Sequence, residues 1–243
     1  MAEAETAVIL TVGNEIVSGD VENTNASWLA RRLGMLGIDV KLHAAVRDDV
    51  GEIAAFLRSE RESASHVVVT GGLGGTPDDV TREGVAAGFG VPCEEVGWLA
   101  EELRARFVAR GLGDYAALWA CIPAGAEPLA NPLGGAPGFV LGNVVVLPGL
   151  PSEMEAMFDA TAERFAGTPI ESWRRRYRTG EGQIVGILEE ATTRHPLVAV
   201  GSYPRFPEGG PEVEVVLKSA DPEALAQAAV FVEAALEGVA AAP

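Results

Sequence analysis

Two short, almost wholly apolar runs constrain the fold of this chain more than any other feature. Thr6–Val12 (TAVILTV) and His66–Thr70 (HVVVT) lack the alternation of apolar and polar residues that a strand with one solvent-facing side shows. Helical patterns follow the runs, as in the three- and four-residue spacing of Ala26, Leu29 and Leu33. Apolar strands that alternate with helices are typical of a parallel sheet covered on both faces. The sequence therefore predicts a three-layer α/β/α sandwich with a mostly parallel sheet.

The chain is long enough for two folding units. It has 243 residues, of which 48% are hydrophobic and 22% charged, as in globular proteins. Gly142-Asn143, between GFVL and VVVL, predicts a two-residue hairpin, and Pro151 predicts the first turn of a helix. The later pattern is strand, helix, strand, strand, helix, with Asp221 as the cap of the last helix. We predict an α/β/α domain at residues 1–167 and a small α+β domain of order β-α-β-β-α at residues 168–243.

Charge and apolar content exclude several classes of partner. The 35 acidic and 18 basic residues give a formal net charge of −17, whereas nucleic-acid binding needs a basic surface. No run approaches the length of a membrane span, and the acidic N-terminus is unlike a signal peptide. Cys93 and Cys121 lack metal or redox spacing and are predicted to be buried, reduced thiols. We expect a cytoplasmic protein that binds neither nucleic acid nor membrane.

The strongest local signal for a ligand site is VVVTGGLGGTPDDVTRE at residues 67–83. Its strand ends at Thr70, a candidate ligand-binding residue, and open α/β folds bind ligands at the carboxyl ends of parallel strands. Four glycines in five residues permit positive φ angles and let backbone N–H groups approach an anion. Thr76 is predicted to cap a helix beginning at Pro77, with Asp79 completing a capping box. The glycines are Gly71, Gly72, Gly74 and Gly75.

Residue types in this segment narrow the ligand chemistry. Neither lysine follows a glycine-rich turn, and no GxGxxG follows the first strand, which disfavours a P-loop NTPase and an ordinary dinucleotide dehydrogenase. Asp78 and Asp79 would repel a phosphate at short range. A divalent cation held by both, Mg²⁺ or Mn²⁺, would remove that repulsion. Alternatively, the segment is a tight turn whose aspartates only complement a helix dipole.

Two further polar segments are predicted at the same edge of the sheet. Residues 13–25 follow the first strand and supply donors and acceptors suited to a heterocycle or a ribose, although residues 23–25 could simply cap a helix. The candidate ligand-binding residues there are Asn14, Glu15, Ser18 and Asn25. In Arg47-Asp48-Asp49, Asp49 is predicted to cap a helix, which leaves Asp48 as the catalytic candidate.

Several blocks resemble the molybdopterin-binding domain superfamily, specifically the amino-terminal region of competence/damage-inducible protein A. They are GNEIVSGDVENTNASWLARRL, VVVTGGLGGTPDDVTRE, NPLGGAPGF and LPGLPSEME, in the family's order, and they span residues 7 to about 165. The region after them is similar to the small α/β domain of that family. Gly75 stands where the family commonly has a larger residue or proline. We expect a stand-alone form without the amidohydrolase domain that some members append.

This resemblance implies an α/β/α fold that binds a pterin or a nucleotide pyrophosphate at residues 71–79. Some members cleave dinucleotides of the ADP-ribose or FAD type with a divalent metal, and the family implies a homo-oligomer. By resemblance, phosphate is held by Gly71, Gly72, Gly74 and Thr76, and the metal or attacking water by Asp78 and Asp79. A further wall of the site would be formed by Pro148, Gly149, Pro151 and Ser152.

Three classes of function remain open from the sequence. The first is a metal-dependent pyrophosphohydrolase, in which Asp48, Asp78 and Asp79 are the catalytic candidates. The second is a non-catalytic protein that binds or transfers molybdopterin or the molybdenum cofactor. The third is a structural partner protein without a ligand. If residues 71–79 form only a turn, an anionic ligand would instead contact the arginine cluster at residues 174–176.

Overall fold

The computed structural model describes residues 5–107, 113–165, 167 and 169–237. The chain divides into two compact units, Met1–Gly167 and Thr168–Pro243. The first unit contains, in chain order, β1 (Thr6–Val12), α1 (Asn14–Ser18), α2 (Thr24–Met35), β2 (Asp39–Val46), α3 (Val50–Glu60), β3 (His66–Thr70), α4 (Thr81–Phe89), β4 (Cys93–Glu95), α5 (Gly97–Phe107), α6 (Gly113–Ala120), β5 (Cys121–Pro123), β6 (Glu127–Leu129), β7 (Gly138–Leu141), β8 (Val144–Leu147) and α7 (Pro151–Ala160).

A six-stranded sheet with the order β2-β1-β3-β8-β7-β6 forms the centre of this unit. The pairs from β2 to β8 are parallel, and β7 and β6 add two antiparallel strands at one edge. Leu141 pairs with Val144 across a turn in which Gly142 has a φ of 58°. The predicted mostly parallel sheet and the predicted hairpin are therefore confirmed.

Successive residues of the strands face opposite sides of the sheet, and both sides are covered. On one side Ala7 and Ile9 of β1 pack with α2 and α7, through residues such as Leu33. On the other side Val8 and Leu10 pack with residues of α3 and α4. Every one of these side chains is buried because helices cover both faces, which accounts for the missing alternation in β1.

Some details differ from expectation. The start of the predicted polar loop at residues 13–25 forms the short helix α1. The spacing of Leu99, Leu103 and Phe107 predicts a helix at residues 96–110, and the structure contains it as α5, with residues 108–110 outside the described part of the chain. Cys93 and Cys121, expected to be buried, are free thiols and only partly buried. Burial still raises the pKa of Cys93, to about 11.

The second unit is a small α+β domain with the predicted order. Its elements are β9 (Glu171–Tyr177), α8 (Glu181–Arg194), β10 (Ala199–Arg205), β11 (Glu212–Ser219) and α9 (Pro222–Ala235). The strands form an antiparallel sheet of order β10-β11-β9, whose apolar face packs with both helices. Asp221 caps α9 by accepting from the amides of Glu223 and Ala224, which confirms its predicted role. None of the helices in the described residues has the length and apolarity needed to cross a membrane.

Candidate functional site

A cleft of about 490 Å³ lies in the first unit, where β1, β3 and β8 end. Its walls include Val12 at the end of β1, Thr70 at the end of β3 and Pro148 directly after β8. These strands are parallel neighbours, so their carboxyl ends lie at the same edge of the sheet. We call it the rim cleft, and residues 71–79 on one side of it the glycine loop.

The glycine loop begins with two glycines in backbone conformations that other residues rarely adopt. Gly71 and Gly72 have φ angles of +104° and +64°. A Cβ on Gly71 would lie 2.1 Å from the Val12 carbonyl oxygen, and one on Gly72 would lie 2.1 Å from Oγ1 of Thr81. The Thr81 hydroxyl donates to the Gly71 carbonyl at 2.8 Å. The loop therefore turns tightly against β1 and the start of α4.

Asp79, and not Thr76, organises the middle of the loop. The Asp79 carboxylate accepts from the Gly74 amide at 2.9 Å and from the Thr76 amide at 2.8 Å, and also from the Thr76 hydroxyl. The prediction that Thr76 caps a helix starting at Pro77 is wrong, because α4 begins at Thr81 and residues 77–78 form a turn. The bond from the Thr76 amide to Asp79 is the one that a capping box predicts, but the Thr76 hydroxyl donates to Asp79 and does not accept from an amide of a first helical turn.

Two side chains that the sequence did not assign to the site hold the loop by donating to its backbone carbonyls. Arg82, only 1% exposed, donates from Nη2 to the Leu73 carbonyl at 2.7 Å and from Nη1 to the Gly74 carbonyl at 3.5 Å. Trp119 lines the cleft and donates from Nε1 to the Gly74 carbonyl at 3.0 Å. Arg82 follows the loop within the same motif, whereas nothing in the sequence links Trp119 to it.

Asn25 connects the segments that follow β3 and β8, directly beside the start of the glycine loop. Its Nδ2 donates to Oγ1 of Thr70 at 3.1 Å and to the Gly149 carbonyl at 2.8 Å. The Thr70 hydroxyl donates to the Pro148 carbonyl at 2.8 Å. The Asn25 Oδ1 atom is buried and has no hydrogen-bond partner. The structure thus brings together Asn25, Thr70, Pro148 and Gly149, all of which the sequence had proposed as ligand-binding residues.

Asp48 lies where β2 and α1 approach the cleft. The Asn14 amide donates to its Oδ2 at 2.8 Å. Burial raises the pKa of Asp48 above the usual value, and the negative charges of Glu15, Asp78 and Asp79 raise it further, against the opposing effect of the Asn14 amide. Asp49 accepts from the Glu52 amide at the start of α3, so its predicted role as a helix cap is confirmed.

Not every proposed residue faces the cleft. The lining includes Glu15, Asn25, Asp48, Thr70, Gly71, Gly72, Gly74, Asp78, Asp79, Pro148, Gly149 and Pro151. The proposed residues outside it are Asn14, Ser18, Gly75, Thr76 and Ser152. Among these, the Asn14 amide and the Thr76 side chain act through Asp48 and Asp79, whereas the Ser18 hydroxyl donates within its own turn, to the Glu15 carbonyl and to Asp20.

The cleft is strongly acidic. Six carboxylates line it, and no lysine, arginine or histidine in the described part of the chain does so. They belong to Glu15, Glu22, Asp48, Asp78, Asp79 and Glu153. An anionic ligand is therefore repelled unless positive charge or directed N–H groups compensate.

Carboxylate oxygens suit Mg²⁺ or Mn²⁺, but their arrangement limits how a cation could bind. In residues 5–107, 113–165, 167 and 169–237, no three or more His, Cys, Asp or Glu side chains are grouped to hold a metal. Oδ2 of Asp79 already accepts two hydrogen bonds and Oδ1 accepts one, which leaves little coordination capacity. The donor set fits a cation shared with a ligand phosphate better than a cation held by the protein alone.

Comparison with known proteins gives two family matches. Residues 8–167 match a family model described as "Probable molybdopterin binding domain", and residues 175–242 match one described as "FAD synthase, middle domain". Of solved structures, the protein CinA from Thermoplasma acidophilum superimposes with a TM-score of 0.63 at 36% sequence identity, covering 67% of this chain and 98% of that one.

Relatives of two lengths are similar to this chain. A protein of Archaeoglobus fulgidus is 38% identical over 202 residues, which cover 82% of this chain and 85% of the relative. A CinA-like protein of Parasynechococcus marenigrum is 40% identical over 195 residues, which cover 77% of this chain but only 44% of the relative. The chain therefore spans less than half of that longer protein. Because the first family model covers more than half of its residues, this chain belongs to the molybdopterin-binding domain family, where it is similar to CinA-like proteins.

Proposed function

We propose that the rim cleft binds a phosphorylated pterin of the molybdopterin type, with its phosphate on the glycine loop. The observation that carries this proposal concerns two consecutive amides. The N–H groups of Gly72 and Leu73, both cleft-lining residues, donate to no acceptor within the described chain. Leu73 is only 1% exposed, and an unpaired amide in a buried residue is costly. Consecutive free N–H groups beside a positive-φ glycine are a typical anion-binding arrangement.

Asn25, which lines the cleft beside the start of the glycine loop, supports a heterocycle next to the phosphate. A pterin ring carries several N–H donors, and the buried Oδ1 of Asn25 is an acceptor without a partner. Asn25 is held by Thr70 and Gly149, so its orientation is fixed before a ligand arrives. The cleft volume of about 490 Å³ is within the range of small-molecule sites.

A second candidate is hydrolysis of a dinucleotide pyrophosphate of the ADP-ribose or FAD type. Asp48 supports it, because a carboxylate with a raised pKa beside the ligand is suited to accept a proton from an attacking water. Asp78 and Asp79 would hold a divalent cation, which would neutralise the negative charge that develops on the pyrophosphate. The Thr76 side chain lowers the pKa of Asp78, which keeps that carboxylate ionised for this role.

A ligand panel separates these functions. Calorimetry with 6-hydroxymethylpterin phosphate, ADP-ribose and FAD, with and without MgCl₂, would be combined with product analysis by chromatography. We expect binding of the pterin phosphate. Turnover of a dinucleotide only with Mg²⁺ would favour the hydrolase, and binding without turnover would favour a cofactor-binding or transfer protein. A protein that binds none of these compounds would contradict both and favour a structural partner protein.

Asp79→Asn and Asp78→Asn form a matched pair for the metal question. Asparagine at position 79 places an NH₂ group against the amide of Gly74 or Thr76, so we expect at least about a tenfold loss of affinity with or without Mg²⁺. Asp78 is exposed and accepts from neither amide, so its variant should lose only the Mg²⁺-dependent part. Normal binding by Asp79→Asn in the presence of EDTA would contradict the loop-organising role of Asp79.

Two other expectations stay predictions. The family resemblance favours a homo-oligomer, which light scattering would test by a solution mass above the 25.3 kDa of one chain. The cytoplasmic location, expected from the acidic N-terminus, would be tested by fractionation of the cells that produce the protein.

A further inference from the structure

Arg82 is a buried cation without an ion-pair partner. It is 1% exposed, and no carboxylate in the described residues lies within ion-pair distance of its guanidinium. Its Nη atoms donate to the carbonyls of Leu73 and Gly74, and its Nε has no partner. An arginine is rarely fully buried unless it is paired, because desolvation of the charge is costly. The guanidinium nevertheless stays charged at neutral pH.

The position of this charge relates it to the cleft. Within the described part of the chain, Arg82 is the cation that hydrogen bonds to residues 71–79, although it does not itself line the cleft. All six charged residues that line the cleft are acidic. A phosphate that enters therefore meets only acidic charged side chains in the lining, and the nearby positive charge is that of Arg82, which is bonded to the carbonyls of Leu73 and Gly74.

Arg82 holds two peptides of the glycine loop. In a trans peptide the C=O and N–H groups point in opposite directions. The Leu73 carbonyl accepts from Arg82, and the N–H of the same peptide, on Gly74, donates to Asp79. The Gly74 carbonyl accepts from Arg82 and Trp119, so the Gly75 N–H points away from both. The peptides that Arg82 polarises therefore have their N–H groups on Gly74, which holds Asp79, and on Gly75. The free N–H groups of Gly72 and Leu73 belong to the two preceding peptides, so Arg82 acts on a phosphate bound there through the field of its buried, weakly screened charge.

We propose that Arg82 is a positioning and specificity-determining residue, whose buried charge makes the glycine loop select a dianionic phosphate over an uncharged ligand group. The proposal rests on the proposed phosphate site. It goes beyond that site because the side chain that determines the charge preference does not line the cleft.

Arg82→Gln and Arg82→Lys separate the charge from the hydrogen bonds. Glutamine keeps an N–H donor for the Leu73 carbonyl and removes the charge, whereas lysine keeps the charge. The matched control is Arg58→Gln, because Arg58 also donates to a backbone carbonyl, that of Ala87 at 3.3 Å, away from the cleft. The probes are 6-hydroxymethylpterin phosphate, its dephosphorylated form and inorganic pyrophosphate, in EDTA so that no divalent cation supplies positive charge.

We expect wild-type protein to prefer the phosphorylated pterin. Arg82→Gln should reduce the ratio of the affinity for the phosphorylated pterin to that for the dephosphorylated pterin by about 10- to 100-fold, because it removes one buried charge near the phosphate. Arg82→Lys should keep much of the ratio, and Arg58→Gln should leave it unchanged. A positive charge stabilises the dianion, so ³¹P NMR should show a lower second pKa for the phosphate bound to wild-type protein than for the free phosphate. The phosphate bound to Arg82→Gln should have a higher second pKa than the phosphate bound to wild-type protein. A purely structural arginine would move neither the ratio nor this pKa.

Each outcome bears on the inference. An unchanged affinity ratio in Arg82→Gln overturns it and leaves the proposed function intact. If Arg82→Gln fails to fold, a raised phosphate pKa in the wild-type complex still overturns it. If neither pterin binds but pyrophosphate does, and Arg82→Gln loses that binding, the proposed function fails and the inference stands. If wild-type protein binds none of the three probes, both fail.

Discussion

At Gly72 the backbone and a neighbouring side chain both exclude a larger residue. The φ angle of +64° is in the left-handed region, and an added Cβ would lie 2.1 Å from Oγ1 of Thr81. That hydroxyl cannot move without losing its hydrogen bond to the Gly71 carbonyl. The backbone conformation and the lack of space therefore both exclude a side chain at Gly72, whose own amide is one of the two that we assign to the phosphate.

Gly72→Ala tests this residue against Gly90→Ala. Gly90 has a similar φ of +71°, but an added Cβ there would meet nothing within 4 Å. We expect Gly90→Ala to cost about 1 kcal/mol of unfolding free energy through backbone strain alone. Gly72→Ala should cost more and should abolish binding of the pterin phosphate, as should Gly72→Val. Urea denaturation and calorimetry measure the two effects, and equal stability losses with normal binding would contradict the steric role of Thr81.

Asp48 gives the residue-scale prediction for pH. Its pKa is raised in the folded protein, chiefly by burial, so the folded state holds this proton more tightly than the unfolded state. Its contribution to stability is therefore favourable at low pH and is lost as pH rises through the folded pKa. Asp48→Asn should raise the melting temperature by about 1–3 °C at pH 7, and the gain should shrink as pH falls below the carboxylate range.

Asp49→Asn is the control for this measurement. Asp49 also carries a negative charge, but it lies outside the cleft lining and caps α3 through the Glu52 amide, a role that asparagine can fill. The melting temperature of Asp49→Asn should lie within about 1 °C of that of wild type, both at pH 7 and at a pH below the carboxylate range. A melting temperature for Asp48→Asn equal to that of wild type at pH 7 would contradict an unfavourable charge at position 48.

Local patterns predicted some residue roles and not others, for a physical reason. The Asp49 cap followed from contacts three residues apart, since its carboxylate meets the Glu52 amide within one helical turn. The contacts of Asp79 are also close in the chain, but its carboxylate accepts from the amides of Gly74 and Thr76, which precede it. In a loop that folds back, such contacts have no fixed sequence spacing from which they could be predicted. The preference of Thr76 for a helix cap was therefore outweighed by a carboxylate that accepts from several donors at once.

At the scale of elements, one hydrogen-bond chain joins three segments around the cleft. Asn25 is on α2, Thr70 ends β3, and Pro148 and Gly149 follow β8. Through Nδ2 of Asn25 and the Thr70 hydroxyl, each of these segments is fixed to the other two. Thr70 is completely buried, so loss of its hydroxyl would leave polar groups without partners and without water.

Thr70→Val removes this connection with little change of shape. We expect a loss of about 1–3 kcal/mol of unfolding free energy, the usual cost of leaving buried polar groups unpaired. The control is Thr161→Val, because the Thr161 hydroxyl is also buried but donates within the last turn of α7, to the carbonyls of Met157 and Phe158. In urea denaturation the control should lose less than about 1 kcal/mol. Equal losses in the two variants would argue against the connecting role of Thr70.

The elements themselves were largely predictable, whereas their side-chain connections were not. Uninterrupted apolar runs indicated β1 and β3, and Gly142-Asn143 indicated the hairpin between β7 and β8, because each signal is contained in a few residues. Asn25 meets Gly149 from a separation of 124 residues. No local pattern specifies which carbonyl an amide side chain will reach across a folded sheet, so the role of Asn25 as a connector emerged only from the structure.

For the whole molecule, net charge determines how salt affects binding. At a formal net charge of −17 the long-range field opposes an anionic ligand, and added salt screens that field. We expect the affinity for the pterin phosphate to rise or stay constant between low and moderate salt, with the dephosphorylated pterin as an uncharged control. A steep fall with salt would instead favour contact with the arginines at residues 174–176, although Arg175 and Arg176 already pair with Glu233 and Glu214.

The 124-residue separation between Asn25 and Gly149 also has a consequence for synthesis of the chain. A ribosome produces β1, α2 and the glycine loop well before residues 144–149 exist, and β8 pairs with β3 only after those residues have emerged. A nascent chain that stops short of residue 149 has the loop glycines but lacks one wall of the cleft. We therefore expect the proposed ligand to bind only after the first unit is complete, so that a truncated chain would not withdraw it from the cell.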